Sequence, residues 1–157
     1  MQFNIIIIYT LMGMKEGIIA ANASLMANVE LGRQPILKIL AVDDDVMSLQ
    51  LFSALLLKIG YTCTVAKNGQ EAIDLVLKEP FDIIFMDMHM PIVDGLEATR
   101  QIRSIVQAPK VPVIIGLTAS SFAEDRERCL AAGMNDFMTK PYKILSMQEL
   151  LSKWMKV

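Results

Sequence analysis

From residue 36 onward the chain alternates short apolar runs with longer stretches in which apolar positions recur every three or four residues. The runs at 36–42, 61–66, 81–86, 111–117 and 136–139 read as strands. Most lack the polar alternation of a half-exposed strand, as expected for parallel strands covered on both faces. Helical patterns lie between them at about 46–59, 69–78, 95–106, 122–132 and 145–155. Gly60 and Gly133 stand where helices end, and Asn68-Gly69 and Pro80 punctuate the second unit. Five βα units in series predict an α/β fold, a doubly wound five-stranded parallel sheet with five helices.

The polar residues that close these runs carry the chemistry. Phe81-Asp82-Ile83-Ile84-Phe85-Met86 ends in Asp87, and Ile39-Leu40-Ala41-Val42 ends in Asp43-Asp44-Asp45. Val113-Ile114-Ile115-Gly116-Leu117 ends in Thr118, and Asp136-Phe137-Met138-Thr139 ends in Lys140. An open α/β sheet gathers its ligands outside the carboxyl ends of its strands. Acids, a hydroxyl and an ammonium are therefore expected on one edge.

Three carboxylates, Asp43, Asp44 and Asp87, repel one another unless a cation joins them. A hard divalent ion with oxygen ligands, Mg²⁺, resolves that conflict and leaves coordination positions for phosphate oxygens. Thr118 and Lys140 complete a site suited to phosphoryl transfer, where positioning and charge stabilisation do most of the work. Asp87 is then the nucleophile that becomes an aspartyl phosphate. Each residue taken singly has a plainer reading: Asp44 or Asp45 as a helix cap, Thr118 as a capping hydroxyl, Lys140 as an exposed turn lysine. Their joint appearance at successive strand ends favours the site. His89 is the only histidine and has no partner for a His-based metal site or triad.

Composition narrows the function. The chain of 157 residues is 54% apolar with a mean hydropathy of +0.43 and only 6% aromatic, so Ile, Leu, Val and Met build the core. A net charge of −2 with scattered Lys and Arg offers no basic stripe, which excludes nucleic acid as a direct ligand. Cys63 and Cys129 stand apart, in keeping with free thiols and a reducing cytoplasm. Residues 1–35 read as an N-terminal extension or linker, and residues 36–157 as the folded domain. The leader's apolar run is broken by Lys15-Glu16, short of the roughly 20 residues of a membrane span. No basic residue precedes it as a signal peptide requires. No membrane insertion is expected of the domain, and the charged run Glu124-Asp125-Arg126-Glu127-Arg128 reads as a solvated helix face.

With these motifs in place, the chain resembles a receiver domain of the two-component response-regulator family. The residues concerned are Ile39-Leu40-Ala41-Val42-Asp43-Asp44-Asp45, Met86-Asp87-Met88-His89-Met90-Pro91 with Asp94-Gly95, Leu117-Thr118-Ala119, and Lys140-Pro141. Leu117-Thr118-Ala119, the stretch from Arg126 to Gly133, and Trp154 are most similar to receivers of hybrid sensor histidine kinases. The resemblance implies a flavodoxin-like strand order, 2-1-3-4-5. It implies a phosphoacceptor, not an enzyme with turnover, that takes part in its own phosphorylation and dephosphorylation. Asp87 would accept a phosphoryl group from phosphohistidine on a histidine kinase or histidine phosphotransfer domain. Asp44 and Asp87 would hold Mg²⁺ through their side chains, Asp43 largely through water, and His89 through its backbone carbonyl.

The resemblance also implies a switch. Thr118 swings to the phosphoryl oxygen, the aromatic at Phe137 turns inward, and a protein-interaction face changes its affinity, with a homodimer among the partners left open. Phe137 stands where the commoner residue is Tyr. His89 and Ser120 occupy the variable positions that tune phosphoryl lifetime in this family. The chain is expected to be a stand-alone regulator or a receiver excised from a hybrid kinase, with the boundary at Pro35 favouring the second. A haloacid-dehalogenase-type phosphatase shares the aspartate, Mg²⁺, hydroxyl and lysine, but needs an acid where His89 stands. A phosphorylation-independent binding module would normally have lost one of Asp44, Asp87, Thr118 and Lys140, and all four are here.

Overall fold

The computed structural model describes residues 37–106, 111–119 and 123–155. The expected extension at 1–35, the start of the first predicted strand at residue 36, and Ser120 lie outside the described residues. Five strands follow in chain order: β1 Ile39–Val42, β2 Cys63–Ala66, β3 Ile83–Asp87, β4 Val113–Thr118 and β5 Asp136–Thr139. They alternate with α1 Val46–Lys58, α2 Gly69–Lys78, α3 Gly95–Ile105, α4 Ala123–Ala131 and α5 Ile144–Met155. The strands form one parallel sheet in the order β2-β1-β3-β4-β5.

Alternation along the buried strands divides the core between the two faces of the sheet. Leu40, Val42, Ile84, Met86 and Ile114 pack with Ala72 and Ile73 of α2, Leu96 and Ile102 of α3, and Cys129 of α4. Ile39, Ala41, Ile83, Phe85, Ile115 and Leu117 pack with Leu49, Phe52 and Leu56 of α1 and Met147 and Leu151 of α5. Both faces of β1 and β3 are covered, which is why neither strand shows polar alternation. The edge strand β2 is shorter than predicted, because Tyr61 and Thr62 precede its pairing with β1 and only Ala66 is fully buried.

Helix ends follow local chemistry. Asp45, Asn68 and Asp94 cap α1, α2 and α3 by accepting from Met47 N–H, Glu71 N–H and Glu97 N–H. Gly60 and Gly133 adopt φ of 91° and 98°, the left-handed turn that closes α1 and α4. Gly95 brings α3 against the end of β3: a Cβ there would lie 1.9 Å from the Asp87 carbonyl oxygen. Only glycine lets α3 begin so close to the acceptor strand.

Candidate functional site

The parallel register sets the acids side by side. Val42 pairs with Met86, so Asp43, one residue past β1, emerges beside Asp87 at the end of β3. Thr118 pairs with Thr139, and Lys140 N–H donates to the Thr118 carbonyl at 2.8 Å, which brings Lys140 to the same edge. The Lys140–Pro141 peptide bond is cis. Asp45 is committed to the α1 cap, leaving its neighbours to the pocket.

Lys140 Nζ bridges the two buried acids, 2.7 Å from Asp43 Oδ2 and 3.1 Å from Asp87 Oδ2. Asp43 is 2% exposed and Asp87 7%, while the Lys140 side chain retains 26%. Burial pushes the Asp87 carboxyl up; the Lys140 ammonium opposes this, Asp43 adds to it, and the net is a raised pKa. The backbone N–H of His89 also donates to Asp87 and favours its charged form. Burial alone would lower the Lys140 pKa, but its bond to Asp43 and the charge of Asp87 hold the ammonium above its ordinary value.

Asp44 is exposed at the mouth. Carboxylate oxygens of Asp43, Asp44 and Asp87 lie within 4.8 Å of one another. This all-oxygen, mutually repelling donor set fits a hard divalent cation. The His89 side chain is exposed. Thr118 is buried at the end of β4, and Phe137 is half-buried with the Arg126 guanidinium 5.9 Å from its ring centroid. Asp43, Asp44, Asp87, Thr118 and Lys140 thus share one edge.

Two residues near the site are not marked by the strand-end pattern. The Tyr142 hydroxyl donates to Asp43 Oδ2 at 3.3 Å, and its ring meets Phe52 edge-on, with centroids 5.0 Å apart. Burial raises the phenol to about 12, against the opposing effect of its bond with Ser48. Its place in the loop after β5, two residues beyond Lys140, was the available signal. The second is Asp125 in α4, whose Oδ2 accepts from the Thr118 hydroxyl at 3.4 Å. Half-buried Asp125 departs from the expected solvated face.

The five-stranded order and the acid edge define a receiver-like phosphoacceptor fold. Residues 39–152 match the family described as the response regulator receiver domain, and the chain belongs to that family. It is 43% identical over 116 residues to hybrid signal transduction histidine kinase B of Dictyostelium discoideum, a match covering 68% of this chain and 6% of that protein. The receiver domain of sensor histidine kinase PA1611 from Pseudomonas aeruginosa, solved with magnesium in its active-site cleft, is 36% identical with a TM-score of 0.71. That match covers 78% of this chain and 100% of the other. The receiver domain of Saccharomyces cerevisiae Ssk1, crystallised with the histidine phosphotransfer protein Ypd1, is 31% identical with a TM-score of 0.70 over 76% of this chain and 89% of that one. The chain is a receiver domain of two-component phosphorelay signalling, a family whose function is to accept a phosphoryl group on aspartate. Among the described residues no helix is long and apolar enough to cross a membrane.

Proposed function

We propose that Asp87 is the phosphoacceptor of this chain, that Asp43, Asp44, Asp87 and the His89 carbonyl hold Mg²⁺, and that the donor is phosphohistidine on a histidine kinase or histidine phosphotransfer domain. The observation that carries the reading is the Lys140 ammonium shared between Asp43 and Asp87, within a cluster that also includes Asp44. A carboxylate oxygen of Asp87 attacks phosphorus; the P–N bond of phosphohistidine breaks, and its electron pair returns to the ring nitrogen. Lys140 draws the developing charge on the phosphoryl oxygens, and Thr118 supplies a hydroxyl donor. When bound, Mg²⁺ supplies charge neutralisation for the carboxylates and the phosphoryl oxygens.

The partner assignment draws on Ssk1, a similar receiver solved with a histidine phosphotransfer protein. Val46 and Met47, immediately after the acids, are exposed and offer apolar contact at the pocket mouth. Residues 36–157 form the receiver domain, with 1–35 as an extension, and the reducing cytoplasm is its compartment. His89 stands where a phosphatase of the dehalogenase type needs an acid, so the aspartyl phosphate is a stored signal.

Incubation with acetyl phosphate and Mg²⁺ should add one phosphoryl group to the intact mass of the wild type. The addition should be absent without Mg²⁺ and in Asp87→Asn. Labelling that persists in Asp87→Asn would overturn the assignment.

A further inference from the structure

The contact between Thr118 and Asp125 lies outside the acid cluster and is not used in the phosphoryl-transfer step. Thr118, 1% exposed at the end of β4, donates its hydroxyl to Asp125 Oδ2 at 3.4 Å. Asp125 belongs to the first turn of α4; its side chain is 19% exposed, and its other oxygen faces Arg128 Nη1 at 3.7 Å. The Thr118 main chain is meanwhile tied to the pocket, its carbonyl accepting from Lys140 N–H at 2.8 Å. One residue thus reaches the phosphoryl site through its backbone and α4 through its side chain.

We propose that Asp125 is a positioning residue for the switch: its carboxylate holds the Thr118 hydroxyl toward α4 in the unphosphorylated chain and competes with a phosphoryl group on Asp87 for it. The inference rests on Asp87 as acceptor and on Thr118 as the group that engages the phosphoryl oxygens. A hydroxyl has a single proton to donate. Thr118 therefore gives up Asp125 when it turns to the phosphoryl group, and the first turn of α4 loses a tie to β4 at that moment. Phosphorylation in the sheet edge is in this way converted into a change at a helix. The bond is charge-assisted but long, so it biases the two conformers without locking either.

The test is isothermal titration of the whole chain with beryllofluoride, a non-hydrolysed phosphoryl mimic, in the presence of Mg²⁺. Asp125→Ala removes the competing acceptor and should bind about three- to ten-fold more tightly than the wild type, the range set by one modest hydrogen bond. Asp125→Asn keeps an oxygen that can accept from Thr118 but loses the charge assistance, and should fall between the wild type and Asp125→Ala. In a Thr118→Ala background the gain from Asp125→Ala should vanish. Equal affinity of Asp125→Ala and the wild type overturns the latch. So does an equal gain in Asp125→Asn or in the Thr118→Ala background, which would assign the effect to the removed charge. Thermal melts confirm that each variant is folded, and Asp125→Leu, which also lacks the acceptor, carries the test if the alanine variant is not. A wild type that binds no beryllofluoride sinks the acceptor reading and the latch together, whereas binding without the predicted differences sinks the latch alone.

Discussion

Lys140 is the counter-ion on which the resting pocket depends. Asp43 and Asp87 are both buried, and their shared contact with one ammonium offsets the cost of keeping two ionised carboxylates close together. Lys140→Met should lower stability in metal-free buffer at neutral pH by about 1–3 kcal/mol, below the range for a fully buried pair because the lysine is partly exposed. Urea unfolding with and without Mg²⁺ checks this: added Mg²⁺ should recover more stability in the variant than in the wild type. An unchanged midpoint in metal-free buffer would mean that the acids need no counter-ion. At this scale the sequence was most informative where a residue's role follows from its place at a strand end, as for Asp43, Asp87, Thr118 and Lys140. Asp45 could be separated from its two neighbours only by its capping bond. Tyr142 and Asp125 escaped because their partners, Asp43 and Thr118, are brought to them by the loop after β5 and by the docking of α4. No local pattern encodes the Asp125 contact, and for Tyr142 the signal was confined to its place two residues beyond Lys140.

The elements were legible for a related reason. An apolar run marks β5, and Asn68-Gly69 and Pro80 mark α2, at the bounds the structure shows, and Gly60 and Gly133 take the positive φ expected of them. The order β2-β1-β3-β4-β5 came from family resemblance, because a hydrophobic run does not state which neighbour it will pair with. Long-range ties were equally silent. Arg103 of α3 donates to the Gly133 carbonyl, the Pro112 carbonyl and Asn135 Oδ1, tying α3 to the entry of β4 and to the turn before β5. The joint between β5 and α5 carries a prediction. Asp136 Oδ2 accepts from Lys153 Nζ at 2.6 Å and Trp154 Nε1 at 3.1 Å. Burial raises its pKa, but these bonds and the Phe137 N–H outweigh burial and leave the carboxyl below its ordinary value. A depressed carboxyl stabilises the fold above its unfolded pKa of about 3.8, and that contribution is lost as pH falls through the lower folded value. Asp136→Asn should therefore be less stable than the wild type at neutral pH by up to about 1 kcal/mol, since Lys153 is exposed and screened. The gap should close as pH falls below the unfolded value. Denaturant unfolding followed by Trp154 fluorescence at several pH values reads this directly, and a gap that widened on acidification would contradict the assignment.

At the scale of the molecule, the question is what the receiver needs in order to fold and switch. Among the described residues the two apolar clusters draw their buried members from Ile39 through Leu151, one on each face of a sheet whose five strands all lie within 39–139. The acids, Thr118, Lys140, Tyr142 and Asp125 are fixed by the same elements, so the core that sets stability also sets the pocket. The family match spans residues 39–152, and the domain start near Pro35 is the point to be tested. A chain beginning at residue 36 should then unfold cooperatively with a free energy within about 0.5 kcal/mol of the full chain, the scale of substitutions that touch no core feature. It should take one phosphoryl group on Asp87 from acetyl phosphate at the rate of the full chain, since no residue assigned to the chemistry precedes Asp43. Parallel denaturant titrations and intact-mass time courses separate two ways of failing. A loss of stability would assign residues 1–35 to the fold. Equal stability with a changed phosphorylation rate would instead make them a regulator of access to Asp87, a role that a linker between a receiver and a preceding domain does not require.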